Sequence, residues 1–343
     1  MQLDRTGAAD EEGKFVPYEP SGGRQPRLSV IIPTYDRPDY LWATVDQLSH
    51  QDFADFELLI IDQSPDRTPT QCSDPRVHHH YIPLIGPLAG INQGVARARG
   101  EIILILNDDV RLEGRDFLDA HLDCYRDPKV GGVGGRTVDR VRTPNTRKNQ
   151  CKIDWTGRTV ENLTGNVGGP LQSVGGTNMS FRAEVFRQIG DFDTGYTGTA
   201  VLGETDFATR ARAAGWTLMF APRACLVHLS APRGGVRTDP LATDCSRFRN
   251  TAFYVMKHRG IVGLVPFVPT FSVIAVKRAC QWRRPESVPA LLRAMREGIR
   301  AGQGPRNASP RAGRHAWAAV RLLEHWKRLP EVSRILASRN RQS

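Results

Sequence analysis

Gly90–Asp109 reads G-I-N-Q-G-V-A-R-A-R-G-E-I-I-L-I-L-N-D-D. Its first half, Gly90–Arg99, has helical character. Its second, Glu101–Leu106, is an unbroken apolar run of the kind that forms a strand buried on both faces. That strand stops on three polar residues, Asn107, Asp108 and Asp109. Toward the N-terminus the same alternation repeats. Leu28–Pro33 (L-S-V-I-I-P) is a β-branched run stopped by a proline, and Phe56–Asp62 (F-E-L-L-I-I-D) is another that ends in a carboxylate. Between them Pro38–His50 has helical spacing, with Leu41, Val45 and Leu48 on one side. Strand, helix, strand, helix, strand at this spacing predicts right-handed parallel crossovers and an open α/β sheet flanked by helices.

Toward the C-terminus the pattern loosens. Thr137–Pro170 has weak periodicity and predicts loops and short strands. Ala183–Ile189 reads as helical. Gly203–Gly215 opens with acids and closes on a glycine, a helix with an N-terminal carboxylate and a stop. Leu218–Leu229 predicts a last strand, broken at Pro222 and ending near His228. Ile261–Val276 is apolar over 16 residues, short of the ~20 that cross a bilayer. Pro266 and Pro269 interrupt it, and Lys257-His258-Arg259 and Lys277-Arg278 flank it. Gly302–Pro310 reads as a linker, and Trp317, Val320, Leu323 and Trp326 follow at roughly helical spacing among arginines. The expected division is a disordered lead-in over 1–26, a catalytic α/β domain over 27–257, an interfacial helical segment over 258–300 and a basic helical tail over 301–343.

The 343 residues are 40% hydrophobic, enough for a sizeable core. The net charge of +11 is unevenly placed. Residues 277–343 hold 16 Lys/Arg against 4 Asp/Glu, whereas the remainder holds 31 against 32. A tail of this kind seeks an anionic partner. The opening residues lack the charged-then-apolar order of a signal peptide. Six scattered cysteines without a C-x-x-C pair predict reduced, mostly buried thiols in a cytoplasmic protein and give no zinc site.

In open parallel sheets, ligands bind at the carboxyl ends of the strands. Here those ends carry Thr34-Tyr35-Asp36, Asp62 and Asn107-Asp108-Asp109. One such carboxylate is as readily a helix cap or turn former. Three around one crevice suggest a polyphosphate nucleotide held with a divalent metal.

Several segments resemble glycosyltransferase family 2, the inverting enzymes with the GT-A fold. L-S-V-I-I-P-T-Y-D-R at Leu28–Arg37 is similar to the family's opening strand, and L-L-I-I-D-Q-S at Leu58–Ser64 to its second. Gly90–Val110 is similar to the segment leading into the family's D-x-D motif. G-G-T-N-M-S-F-R at Gly175–Arg182, G-E-T-D-F-A-T-R-A-R-A-A-G-W at Gly203–Trp216 and R-N-T-A-F-Y at Arg249–Tyr254 resemble the acceptor-side, catalytic-base and post-catalytic segments. The likeness runs from about Arg27 to Lys257 in the family's order.

The resemblance implies a nucleoside-diphosphate sugar donor, UDP- or dTDP-linked. Pro33, Thr34, Tyr35, Asp62, Asn92, Asn107 and Asp108 would bind it, with Asp62 on the base. Asp109 would hold Mg²⁺ or Mn²⁺, which neutralises the leaving diphosphate. His228 is a further metal ligand or, alternatively, a hydrogen-bonded histidine under the C-terminal part. Gly176 and Asn178 fall on the acceptor side. The catalytic pair is Glu204 and Asp206. Glu204 falls on the base position, its alternative being a charge partner of the helix N-terminus, while Asp206 can pair with Arg210 one turn on. Asn107 replaces the family's first D-x-D aspartate, a departure shared with a rhamnosyltransferase-like branch. His78-His79-His80 lies outside the motifs and reads as a solvated loop.

The acceptor expected from the resemblance is a saccharide or lipid-linked saccharide in polysaccharide or cell-envelope glycan synthesis. The flanked apolar segment and basic tail place the chain peripherally on the cytoplasmic face of an anionic membrane, with Trp282, Trp317 and Trp326 at headgroup level. A sugar-nucleotide nucleotidyltransferase is a weaker alternative, because no Gly-rich loop follows the first strand. A nucleic-acid-binding protein is weaker still, because the tail lacks zinc-finger spacing and aromatic platforms within a sheet.

Overall fold

A computed structural model describes residues 25–139, 150–235 and 239–303, with two short strands at 8–9 and 15–16. The expected lead-in, apart from those strands, and the tail from 304 onward, with Trp317 and Trp326, lie outside the described residues.

The strands are β1 (Ala8–Ala9), β2 (Phe15–Val16), β3 (Leu28–Thr34), β4 (Phe56–Asp62), β5 (Val77–Tyr81), β6 (Ile102–Leu106), β7 (Val110–Leu112), β8 (Val130–Asp139), β9 (Gln150–Ile153), β10 (Thr159–Asn162), β11 (Gly169–Leu171), β12 (Asn178–Arg182) and β13 (Thr217–His228). The helices are α1 (Pro38–Ser49), α2 (Pro87–Arg97), α3 (Phe117–Asp123), α4 (Ala183–Ile189), α5 (Gly203–Ala213), α6 (Pro240–Trp282) and α7 (Ser287–Ala301). The chain divides into two units. One comprises residues 1–152, 160–194 and 203–237, the other 153–159, 195–202 and 238–343.

The first unit is built on one sheet in the order β11-β13-β8-β12-β6-β3-β4-β5, with β7 added on β13. β6, β3, β4 and β5 are mutually parallel, as the alternating pattern predicts. β12 is antiparallel to both β6 and β8, so the sheet is mixed at its centre. Every residue of β4 and β6 is buried, which explains their continuous apolar runs. Beneath one face, Leu41, Val45 and Leu48 of α1 join Leu28, Val30, Ile32, Leu58, Leu104 and Phe117 in the core.

Register decides where the site lies. Thr34 pairs with Asp62, Asp62 with Tyr81, and Ile31 with Ile105. The polar strand ends therefore line up along one edge of the sheet.

Four expectations need correction. His78–His80 is not a loop but the body of β5, paired with β4. β13 is not broken at Pro222: a register shift between Ala221 and Cys225 carries the strand past the proline, which has no N–H for the ladder. Of the six free cysteines only Cys151 is buried, and Cys280 is exposed. The prolines at 266 and 269 do not end the apolar segment, which runs through α6 beyond a kink at Gly260 (φ 61°, ψ −152°), where two helices meet.

In the second unit, Asn250 of α6 exchanges hydrogen bonds with the backbone of Thr197, and Arg259 donates to the carbonyls of Ile153 and Asp154. α7 packs on α6, with Gly298 against the backbone of Arg249 and the side chain of Ala252. The kink of α6 at Gly260 lies close to the expected boundary between 257 and 258. An 18-residue window of this helix has a mean hydropathy of 1.8, long and apolar enough to cross a membrane, and one third of that window is buried within the protein.

Candidate active site

Asp108 and Asp109 follow β6 and are buried, 3% and 1% exposed. Asp108 accepts from Thr34 Oγ1 at 2.8 Å, and its Oδ1 lies 3.0 Å from Arg37 Nη1. Its backbone carbonyl accepts from Thr44 Oγ1 of α1. Burial pushes its carboxyl up to about 6, against the pull of Arg37 and Thr34. Asp109 differs. Burial raises its pKa too, but His228, the Ala231 amide and Arg37 outweigh it and hold the group below the ordinary value. Asp109 Oδ2 accepts from the Ala231 amide at 2.9 Å, and Arg37 Nη1 lies 3.3 Å from it.

Asp109 Oδ1 is buried and has no hydrogen-bond donor among the described residues, and it lies 3.2 Å from His228 Nε2. The resemblance implies a divalent cation. A carboxylate oxygen without a donor, faced by an imidazole nitrogen, is a donor set that suits one. Two protein ligands leave the other positions to diphosphate oxygens and water, as hard cations commonly keep them. No cluster of three or more metal-binding side chains occurs among the described residues.

Asp62, at the end of β4, is equally buried. His79 Nε2 lies 3.2 Å from its Oδ2, and the Ser64 amide donates to its Oδ1. Burial alone would raise its pKa; the hydrogen bonds from His79 and Ser64 overcome this and hold it at about 2. His79 stacks on Tyr81 and meets Trp42 edge-on.

The acceptor-side loop adjoins this edge, because the Asn107 amide donates to Thr177 O. Next in that loop is Gly176, where a side-chain β-carbon would lie 3.9 Å from the Glu204 carboxyl carbon. Glu204 opens α5 and is half-buried. Asp206 is fully buried, and its Oδ2 accepts from Arg210 Nε at 2.8 Å. Arg210 also donates to the carbonyls of Ile189 and Asp191, so this pair ties α5 to the end of α4. The geometry separates the two acids: Glu204 faces the loop, and Asp206 is a strut.

Two other expected site residues are also committed to packing. Asn178 is 1% exposed; its amide donates to the carbonyls of Arg136 and Ala224, and its oxygen is 2.8 Å from His121 Nε2. Asn92 exchanges two hydrogen bonds with the backbone of Phe192. Pro33, Tyr35 and Asn107 stand half-buried at the strand ends. The residues that sequence reasoning passed over are Arg37, Thr44 and His79. Arg37 was legible only as part of a motif, and nothing in V-H-H-H-Y distinguishes a buried histidine from a solvated one.

The fold is shared with solved structures. A mannosyltransferase from Pyrobaculum calidifontis, solved with GDP-Man and Mn²⁺, superposes with a TM-score of 0.51 at 18% identity, covering 88% of this chain and 80% of its own. Residues 1–349 of S. aureus TarS superpose at 0.54 and 14% identity, covering 80% of each chain. The sheet and its flanking helices are those of the GT-A fold.

Residues 29–190 match the family model of Glycosyl transferase family 2. That match takes in a little under half of the chain. Among curated relatives, the O-antigen biosynthesis protein RfbC of Myxococcus xanthus is 27% identical over 243 residues, 59% of this chain and 17% of its own length. The GalNAc(5)-diNAcBac-PP-undecaprenol beta-1,3-glucosyltransferase of Campylobacter jejuni is 34% identical over 95 residues, 25% of this chain and 31% of its own. The chain spans 17% and 27% of the lengths of the first two curated relatives it matches.

Proposed function

We propose that this protein is an inverting, metal-dependent glycosyltransferase. It moves a sugar from a UDP- or dTDP-linked donor to a hydroxyl of a saccharide or lipid-linked saccharide in cell-envelope glycan synthesis. The carrying observation is adjacency. The buried Asp108–Asp109 pair, the Asn107–Thr177 contact and Glu204 beside Gly176 follow one another along a single sheet edge. In this reading Asp62 accepts from the nucleotide base, Asn107 and Asp108 hold ribose or sugar, and Asp109 with His228 holds the cation. The bound Mg²⁺ or Mn²⁺ supplies counter-charge to the departing diphosphate. Glu204 takes the proton of the acceptor hydroxyl as its oxygen bonds to the anomeric carbon from the face opposite the diphosphate. The bond from that carbon to the diphosphate breaks with its electron pair, which inverts the centre. Asn107 in place of an aspartate keeps a hydrogen bond and removes one charge, in line with the rhamnosyltransferase-like branch.

The test is transfer from nucleotide sugars with Glu204→Gln and Asp109→Ala. Glu204→Gln should lower turnover roughly 10²–10⁴-fold, the usual share of general-base catalysis, with little change in donor binding. Asp109→Ala should abolish Mn²⁺-stimulated transfer. A product that retains the donor's anomeric configuration by NMR, or full activity in excess EDTA, would sink the reading.

The same reading places the enzyme peripherally on the inner face of an anionic membrane. Supporting this, α6 is apolar on two sides. Leu264, Phe267, Val268 and Phe271 are buried, whereas Val262, Val265 and Val273 are 73%, 67% and 48% exposed. Trp155, also in the second unit, is 67% exposed over the Arg259 guanidinium. Lys257 and Arg259 precede these valines and Lys277 and Arg278 follow them. A second copy would set those cations against their own kind, whereas anionic headgroups complement them.

A further inference from the structure

Arg37 lies between β3 and α1, only 10% exposed in its side chain, and its guanidinium faces two ways. On one side Nη1 lies 3.0 Å from Asp108 Oδ1 and 3.3 Å from Asp109 Oδ2. On the other, Nε donates to Arg233 O at 2.9 Å and Nη2 to Gly234 O at 3.1 Å. Those carbonyls belong to the segment after β13. Two more bonds hold that segment: Gly235 N donates to Tyr35 O at 2.8 Å, and Ala231 N to Asp109 Oδ2 at 2.9 Å. The approach is close enough to require glycine. At Gly234 (φ 70°) a β-carbon would lie 2.5 Å from Asp36 O, and at Gly235 one would lie 2.6 Å from Arg37 Nη2.

We propose that Arg37 is a positioning residue for the cation ligand Asp109. The guanidinium and the Ala231 amide both engage Oδ2. That fixes the carboxylate plane and leaves Oδ1 as the oxygen turned to His228 without a donor of its own. Arg37 also holds the Ala231 amide in place, through the Arg233 and Gly234 carbonyls. A simple charge argument gives the opposite sign: a cation beside a metal site repels the metal, so its loss should tighten metal binding. The geometry points to orientation prevailing. A partner that orients a metal ligand is typically worth 10–100-fold in affinity. The planar fork matters as much as the charge, because an ammonium cannot meet two carboxylates and two carbonyls in fixed directions.

This rests on the cation reading of Asp109, so the experiment separates the two. Mn²⁺ binding to the full-length protein, without nucleotide, is followed by the electron paramagnetic resonance of free Mn²⁺ for wild type, Arg37→Lys, Arg37→Gln and Asp109→Ala. Circular dichroism checks the fold, and trypsin cleavage after Arg233 reports on the segment. Arg37→Lys keeps the charge, and should bind Mn²⁺ about 10–100-fold more weakly and be cut faster at Arg233. Arg37→Gln should weaken binding at least as much, and decides the matter if the lysine variant does not fold. Wild-type affinity in both variants, or tighter binding in either, overturns the role of Arg37 while the loss in Asp109→Ala keeps the cation reading. Mn²⁺ binding that is absent from wild type, or unchanged in Asp109→Ala, overturns both.

Discussion

At Asp62 a buried carboxylate is kept ionised by hydrogen bonds from a neighbouring strand and from the turn that follows its own. Its pKa of about 2 lies below the ordinary 3.8, so folding favours the charged form. The stabilisation is complete above about pH 4 and is lost as pH falls toward 2. The shift corresponds to on the order of 2 kcal/mol at neutral pH. Urea unfolding of Asp62→Asn should therefore show a deficit of about that size at pH 7, and it should shrink at pH 2.5. A deficit equal at both pH values would mean that ionisation contributes nothing. The terminal Asp of F-E-L-L-I-I-D was legible as a site candidate, because it is one of three polar strand ends that an open parallel sheet brings to one crevice. Its partner His79 was not, because the partnership depends on strand pairing, which places His79 one strand away from Ile60 and Asp62.

Among the elements, β12 begins in a motif that reaches the site edge, while its first residue is engaged in the core. G-G-T-N-M-S-F-R brings Gly176 and Thr177 to the site, yet the next residue, Asn178, begins the strand that runs between β6 and β8. Its side chain joins a buried network with His121, Ser180 and Tyr125. Burial holds the His121 imidazole neutral, its pKa down at about 4. Asn178→Ala would leave the Arg136 and Ala224 carbonyls and a ring nitrogen of His121 without that partner. The expected loss is on the order of 3 kcal/mol, since buried unpaired polar groups cost about 1–3 kcal/mol each and networks couple. Acceptor KM of the folded enzyme should stay unchanged. A raised acceptor KM at wild-type stability would return Asn178 to the acceptor site. The same limit of local reading applies to Pro222, Pro266 and Pro269: a proline removes one donor, but a bulge or a packed long helix absorbs that loss.

For the whole molecule the prediction concerns the membrane. The full chain should float with anionic vesicles at low salt and lose much of that binding at high salt. Val262→Asp with Val265→Asp should reduce flotation while sparing transfer to a soluble acceptor. Flotation unchanged by that pair, or none by wild type at low salt, would remove the exposed valines of α6 from the membrane reading. Sequence alone determined the parallel β3-β4-β6 core and its polar strand ends. These follow from local periodicity and from the type of residue that ends each strand. Only the tertiary structure decided that Asn92 and Asn178 are held by distant backbone groups, that His79 backs Asp62 and that Arg37 grips Asp109. Each of these depends on which residue stands opposite, across strand registers and loop contacts spanning up to 197 positions of chain, and a side chain's role is set by the partner it meets there.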